Sequence, residues 1–458
     1  MLDQVELITS GFAQIAWGPW LLFLLLGGGS FFFIKSRLAP FRYLRHAVDL
    51  LLGRYDAPSD PGHISHFKAL SSALAGTIGM GNIAGVALAI KIGGPGAIFW
   101  MWMTAILGIA TKFFTCSLAV MYRGKDSNGD LQGGPMYVIR EGLPKKYHFL
   151  AYFFAITAMI GCLPVLQSNQ LIQIIREVIA PELGLAETVT PMAFNFTCGI
   201  ILASLVAMVI LGGLKRIANV AAALVPSMSL LYIGAISVAL ALNADQVLGA
   251  LELILKDAFT GESVAGGSLM AMIIYGVQRG AYSNEAGIGT ESLAHGAAKT
   301  KEPIREGLVA MLGPIIDTLL ICTATALMII ISGVWLNDTG EGVTLTASAF
   351  YTLLGPMGTL IIFICVLCFA TTTIFTYSFY GSQCASFVLG AQHSTNYRYF
   401  FILFIILSSI VSLDAAVGLI DGCFALMAIP TTVSALLLAP KVKSAADEYF
   451  ATLRAGTT

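Results

Sequence analysis

Charge is the scarcest property of this chain. Of its 458 residues only 11% are Asp, Glu, Lys or Arg, against about 25% in a soluble domain, too few to cover a water-facing surface of this size. The 25 basic and 26 acidic side chains leave a formal net charge of -1, so the basic excess that nucleic-acid binding requires is missing. Six histidines form no H-E-x-x-H pair, and zinc chemistry has no support. The eight cysteines, Cys116, Cys162, Cys198, Cys322, Cys365, Cys368, Cys384 and Cys423, all fall in apolar segments, which argues against a disulfide framework. Cys365 and Cys368 form a C-x-x-C without a second Cys or His pair nearby, so they read as core rather than as a metal or redox site. No basic flank precedes the first apolar stretch, which therefore reads as a retained span and not a cleaved signal peptide.

What the chain has instead is apolar length. Hydrophobic residues make up 57%, and runs of about 20 residues, enough to cross a bilayer, recur throughout. They lie at 17–34, 68–92, 95–122, 149–175, 192–213, 217–242, 266–290, 306–334, 356–389, 398–413 and 416–440. The expectation is an all-α polytopic membrane protein with eleven transmembrane helices. Basic residues cluster in alternate loops: Lys35, Arg37, Arg42, Arg45 and Arg54 after span 1; Arg123, Lys125, Arg140, Lys145 and Lys146 after span 3; Lys215 and Arg216 after span 5. Lys299, Lys301 and Arg305 follow span 7, Arg398 follows span 9, and Lys441, Lys443 and Arg454 close the chain. The intervening loops carry Glu177, Glu182, Glu187, Asp338 and Glu341. The positive-inside rule then puts the N-terminus outside and the C-terminus in the cytoplasm. Segments 38–52 and 244–258 mix apolar and charged residues and read as interfacial helices. Gly133-Gly134-Pro135-Met136-Tyr137 reads as a tight turn feeding a short helix, a joint rather than a gate.

Two of the spans are interrupted. In 71–100, Gly76, Gly79, Gly81 and Gly85 stand with Thr77 and Asn82 inside an otherwise helical run, each glycine costing about 1 kcal/mol relative to alanine. Close helix packing explains such glycines by themselves. A second interruption in span 7 holds Gly276, Gly280 and Gly287 among Gln278, Arg279, Ser283, Asn284 and Glu285. If spans 2–6 and 7–11 are two five-helix units of opposite topology, both breaks open their unit, and mirrored breaks point to a binding site at the midplane. The division expected is an N-terminal helix and interfacial helix at 1–67, repeat 1 at 68–242, a linker helix at 243–265, repeat 2 at 266–440 and a tail at 441–458.

At the first break the N–H groups near Met80, Gly81 and Asn82 would open a half-helix and suit a carboxylate, while the carbonyls of Ala75 to Ile78 would suit a small cation. Gln167 and Gln170 share a helix face in span 4, and cavity lining and interhelical bonding both account for them. Tyr275 and Gly276 are the mirrored segment's contribution to the expected substrate site. Thr371, Thr372, Thr373 and Thr376 follow Phe369 in span 9; back-bonding to the helix is ordinary for threonine, but adjacent hydroxyls also suit a hard cation. Asp317 is a rare acid in an apolar segment, open to three readings: a proton site, a cation ligand, or a carboxylate satisfied by Thr318 and backbone. Arg279 and Glu285, six apart, are expected to pair and to form part of a cytoplasmic gate.

The motifs themselves resemble those of the alanine or glycine:cation symporter family. The likeness runs through GMGNIAGVALAIKIGGPGAIFWMW at 79–102, ATKFFTCSLAVMYR at 110–123, GGPMY at 133–137 and LKRIANV at 214–220. It continues through RGAYSNEAGIGT at 279–290, AHGAAKT at 294–300 and IDTLLICTATAL at 316–327. The resemblance implies a leucine-transporter-like five-plus-five inverted repeat with one extra N-terminal helix. It implies sodium-coupled, occasionally proton-coupled, uptake of alanine or glycine across a bacterial or archaeal membrane, here the bacterial inner membrane, with sodium as coupling ion and no other cofactor. Gly79-Met80-Gly81-Asn82 also resembles the broken first helix of sodium-coupled neurotransmitter-type transporters. Carried over, that likeness implies the Met80 and Gly81 N–H groups on a substrate carboxylate and the Thr77 carbonyl near its amine. Sodium would then lie on backbone oxygens of Ala75, Ile78 and Phe369 and the hydroxyls of Thr372 and Thr373. The family often has Ser-Thr at 372–373, Met-Phe-Gln-Ala-Asn at 165–169 and Gly-Trp at 376–377; this chain differs there, which bears on substrate size. An enzyme would need a converging nucleophile and base, which the spacing does not offer, and a channel would need a continuous pore instead of two mirrored breaks.

Overall fold

A computed structural model describes residues 2–57, 59–182, 184, 190–260, 269–337, 340–410 and 413–455. Glu187, Asp338, 261–265 of the expected linker, 266–268 of span 7, 411–412 of span 10 and 456–458 of the tail lie outside the described residues. Helix dominates, and proline works with it: Pro19, Pro135, Pro191 and Pro303 each open a helix, where the absent N–H has no partner to lose. Among the described residues, seven helices are long and apolar enough to cross a membrane, and nine are if each of two bent pairs counts as one span. The two other expected spans, Leu269–Asn284 and Ser394–Ser408, have 16 and 15 described helical residues, short of the roughly 20 a span needs.

The bent pairs are Leu7–Ala16 with Pro19–Lys35, at 42°, and His66–Thr77 with Gly81–Gly93, at 50°. The sequence reading begins span 1 at Trp17; the structure adds a helix before it, Leu2–Ala16, whose polar residues broke the apolar run. That helix packs on the last one, Leu413–Arg454, where a Cβ at Gly418 would strike the backbone of Thr9 and Ser10. Trp17 Nε1 donates to the Asp421 carbonyl at 2.7 Å and fastens the junction.

Ala97–Met121 is the central post, buried along most of its length. Small residues let its neighbours approach. A Cβ on Gly276 would meet the Ala97 carbonyl, and one on Gly280 the Thr104 hydroxyl. Gly276-x-x-x-Gly280 is therefore a packing seam within the unbroken helix Leu269–Asn284. This corrects the second interruption: unwinding begins at Glu285, whose φ is 56°, and continues past Gly287 and Gly289 at 87° and 100°. Glycines that pack and glycines that break look alike in sequence; in this second segment the positive φ of Gly287 and Gly289 separates them from Gly276 and Gly280.

The segments expected to be interfacial are helical, as Ala39–Arg42 with Leu44–Leu51 and as Ala244–Thr260. Gly134, at φ 115°, leads into the short helix Pro135–Gly142. Just before it, Gly124–Lys125 and Leu131–Gln132 pair as a small antiparallel hairpin that no apolar pattern announced. Span 9 starts earlier than expected. Val343–Leu389 is continuous apart from a kink at Gly355, φ 63°, and its first arm folds over the first break, with Thr346 Oγ1 donating to the Ile83 carbonyl at 3.1 Å.

Candidate functional site

The first break is short. The helix His66–Thr77 ends, Ile78 leaves helical geometry at ψ 88°, and a π-helical turn at Gly81–Gly85 restarts the run. Asn82 staples the gap: its Oδ1 accepts from the Gly79 N–H at 2.9 Å. Its Nδ2 donates to Asp317 Oδ1 at 2.5 Å. Asp317 also accepts from Ser283 Oγ and Thr318 Oγ1, each at 2.8 Å. All four side chains are fully buried. Asp317, left open by the sequence between three readings, thus joins both interrupted segments through neutral donors. It sits in a second π-helical stretch, Ile315–Cys322, a local geometry that often accompanies functional positions.

The two segments touch directly. A Cβ on Gly81 would lie 3.3 Å from the Tyr282 ring and 3.4 Å from Ser283 Cα. On the other side, a Cβ on Gly79 would collide with Thr373 Oγ1, so the break and the threonine run are in contact. Thr373 Oγ1 donates to the Phe369 carbonyl at 2.9 Å, leaving its lone pairs to the Gly79 side. Thr372 donates to the Cys368 carbonyl at 2.8 Å and meets Met228 Sδ at 3.8 Å, on the far side of the helix contact. Gly76 lies against Thr376 and Tyr380. The hydroxyls of Thr77, Thr376 and Tyr380 are buried without a protein partner among the described residues. Buried polar groups are normally bonded, so the faces meeting at Gly76 are built for something polar.

The remaining expected residues divide. Ala75, Ile78, Met80 and Phe369 are buried around the break. Gln167 keeps a buried carbonyl oxygen with no partner among the described residues. Gln170 has an interhelical role: its Oε1 accepts from the Val343 N–H at 3.0 Å, capping the arm that covers the break. Gly276 packs against Ala97 and Trp100, and Tyr275 lines a cleft of about 760 Å³ together with Trp17, Ile92, Gln278, Arg279 and Asp421. The expected Arg279 to Glu285 pair is not formed. Arg279 bonds Asp421 at 2.8 Å, which also accepts from Gln278 at 3.0 Å. Glu285 accepts from Thr290 Oγ1 at 2.5 Å and Tyr377 Oη at 2.7 Å. The helix turns between positions 279 and 285, and the unwinding after Asn284 sends Glu285 to a different face.

At the basic end the approach to the first break and the exit from the second are zipped together. His63 N–H donates to the Ala297 carbonyl at 2.8 Å and Lys299 N–H to Ile64 at 2.7 Å. Arg123 binds the carbonyls of Gly296 at 2.7 Å, Thr300 at 3.0 Å, Pro61 at 3.2 Å and also Ala298. Burial lowers the Arg123 guanidinium to about 10, still charged at neutral pH. Replacing Arg123 by Ala removes a shared donor from these carbonyls, of which Pro61 keeps the Thr300 N–H at 3.1 Å, and each one left unpaired costs about 1 kcal/mol or more. A loosened basic end is expected, read as faster modification of a cysteine that replaces the buried Ile64.

Comparison with known proteins follows the same lines. Residues 2–458 match the profile described as the sodium:alanine symporter family. The chain is 38% identical to the sodium/alanine symporter AgcS of Methanococcus maripaludis, over 97% of this chain and 96% of that one. It is 33% identical to the probable sodium/glutamine symporter GlnT of Bacillus subtilis, over 100% and 93%. Among solved structures it is similar to MhsT in complex with L-phenylalanine, with a TM-score of 0.56 at 12% identity, covering 83% of this chain and 99% of that one.

Proposed function

The chain belongs to the sodium:alanine symporter family, and on that premise we propose that it imports a small neutral amino acid, alanine or glycine, together with sodium by alternating access. It is a multi-pass membrane protein of leucine-transporter-like fold, a transporter and not an enzyme. The observation that carries the finer reading is the contact of the first break at Gly81 with Ser283, the last turn of the helix before the second unwinding, bridged by Asn82 and Asp317.

In this reading the N–H groups of Met80 and Gly81, which open the second half-helix and have no preceding turn to bond, receive the substrate carboxylate. The Thr77 carbonyl receives the amine. Gly79 and Asn82 hold the break open; Gln167 lines the cavity, while Gln170 braces the covering arm and Tyr275 and Gly276 act from the outer cleft and the packing seam. Sodium binds backbone oxygens of Ala75, Ile78 and Phe369 with Thr372 and Thr373. The repeats are 68–242 and 266–440, flanked by 1–67, the linker 243–265 and the tail 441–458, in eleven spans. The basic end faces the cytoplasm of a bacterial inner membrane and the N-terminus the periplasm. One charge entering at 100 mV gains about 2.3 kcal/mol and a tenfold sodium gradient about 1.4 kcal/mol, enough for accumulation of about a few hundredfold.

Proteoliposomes preloaded with alanine should exchange labelled alanine or glycine when sodium is present and stop when choline replaces it; a non-saturating leak, or exchange indifferent to sodium, would reject the proposal. GlnT is named for glutamine, so glutamine belongs in the same competition series. Thr373→Ala is expected to raise the sodium needed for half-maximal uptake about tenfold, equivalent to about 1.4 kcal/mol. Thr372→Ala, which faces Met228, should raise it less. Equal sodium dependence in both variants and the parent removes these hydroxyls from the cation site.

A further inference from the structure

A row of buried titratable groups runs from beside the second break toward the basic end, and sodium symport makes no use of it. Glu291 stands at one end, fully buried. Its Oε1 accepts from Thr115 Oγ1 at 3.2 Å, while its Oε2 is buried without a partner among the described residues. His295 lies four residues on in the same helix, Glu291–Gly296, hence on the same face. Its Nε2 is also buried and unpartnered, and its Nδ1 meets Glu306 Oε1 at 2.5 Å. The other oxygen of Glu306 bonds His66 Nδ1. His66 Nε2 then looks to Asp56 Oδ1 at 3.8 Å, and the Asp56 side chain is 40% exposed.

We propose that Glu291 is a proton-binding site connected to the basic end of the molecule by a relay through His295, Glu306, His66 and Asp56. An imidazole takes a proton at one nitrogen and releases one at the other, so both histidines are disposed as through-conductors. The proton leaves the Glu291 carboxyl for His295 Nε2. His295 gives its Nδ1 proton to Glu306 Oε1, the neutral Glu306 carboxyl turns over to present that same proton to His66 Nδ1 and is a carboxylate again, and His66 hands its Nε2 proton to Asp56 and water. Each step breaks one O–H or N–H bond and forms one, one positive charge moves in all, and the two imidazoles change tautomer, to be reset before the next proton. Glu291 Oε2 and His295 Nε2, both unpartnered among the described residues, belong to side chains one helical turn apart on the same face, and a water bonded to both would satisfy them and carry the proton across.

Charge supplies a second reason. Lys112, 1% exposed, is the ammonium that acts on Glu285, Glu291 and Asp317 together. Three buried carboxylates against one ammonium in an apolar interior are costly unless protons or bound cations make up the difference. The other groups facing the row are Cys116 beside Glu291 and Glu306, Tyr380 beside Glu285 and Glu291, Arg123 beside Glu306 and Arg305 beside His66. Arg305 lies at the exit, where its charge opposes a proton on His66 that Glu306 and Asp56 favour.

The test uses the full-length protein in phosphatidylethanolamine and phosphatidylglycerol vesicles, without substrate, so that it stands apart from the alanine uptake assay. Infrared difference spectra between acid and alkaline buffer should contain a protonated-carboxyl band that E291Q loses and Glu291→Asp shifts in frequency. Proton release after a pH jump, followed with a dye, should keep its amplitude but slow at least about tenfold in H295Q, whose amide still reaches Glu306. A band that survives intact in E291Q overturns the site. A band lost in E291Q with release undisturbed in H295Q overturns the relay.

Discussion

Replacing Asp317 by alanine should reduce alanine uptake by at least about a hundredfold, the equivalent of about 2.7 kcal/mol, and should lower thermal stability in detergent. The carboxylate is the common acceptor for Asn82 Nδ2, Ser283 Oγ and Thr318 Oγ1. Removing it takes the best acceptor from three buried donors and leaves Asn82 and Ser283 only longer contacts, among them Cys322 Sγ at 3.2–3.3 Å; a buried donor left unsatisfied costs about 1–3 kcal/mol. Asn82 would then be free to release Gly79, so the break would lose its staple as well as its bridge to the other segment. Asp317→Asn separates these effects. It keeps the volume and one acceptor oxygen but turns an N–H₂ toward a donor, so it should fold nearly as well as the parent and still transport poorly. The measurements are initial rates of labelled uptake and melting temperature. Parental uptake in the alanine variant would mean that the two segments are held together by something other than Asp317.

Arg279→Met is the second large effect expected. Arg279 and Asp421 side chains are only 7% and 4% exposed, and breaking a buried pair from one side costs about 3–5 kcal/mol because a lone charge stays behind. Removing both partners is far milder, and an apolar replacement of similar volume can be neutral. Arg279→Met should therefore be severely destabilised, while the double variant with Asp421→Leu should regain most of the lost melting temperature. Uptake should stay depressed in the double variant, since the pair, with Gln278 and Trp17, closes the inner side of the cleft and sets the relation of the last helix to Leu269–Asn284. Equal stability of single and double variants would show that the ion pair is not coupled.

Much of this was legible before any coordinates. Apolar length, the alternation of basic loops and the cluster from Gly76 to Asn82 are local properties, and they mark the spans and the first break because backbone cost and bilayer thickness act along the chain. The mirrored break was legible only in part. Gly276 and Gly280 attract attention by composition, yet they pack against Ala97 and Thr104, and the unwinding starts at Glu285. The polar residues of Leu2–Ala16 conceal a helix, and 343–354 falls outside the apolar spans because its role, covering Ile83 and binding Gln170, depends on residues far away in the chain.

The sequence by itself determined that this chain is a predominantly helical membrane protein with a broken helix, a threonine run and an aspartate in an apolar segment, since hydropathy, glycine content and motif order are written residue by residue. Tertiary structure alone decided the partners: Asn82 with Asp317 across 235 positions, Arg279 with Asp421 across 142, and His66 with Glu306 across 240. The reason is physical. A buried polar group must find its complement wherever packing brings one, and helix periodicity carries information only about the next turn or two.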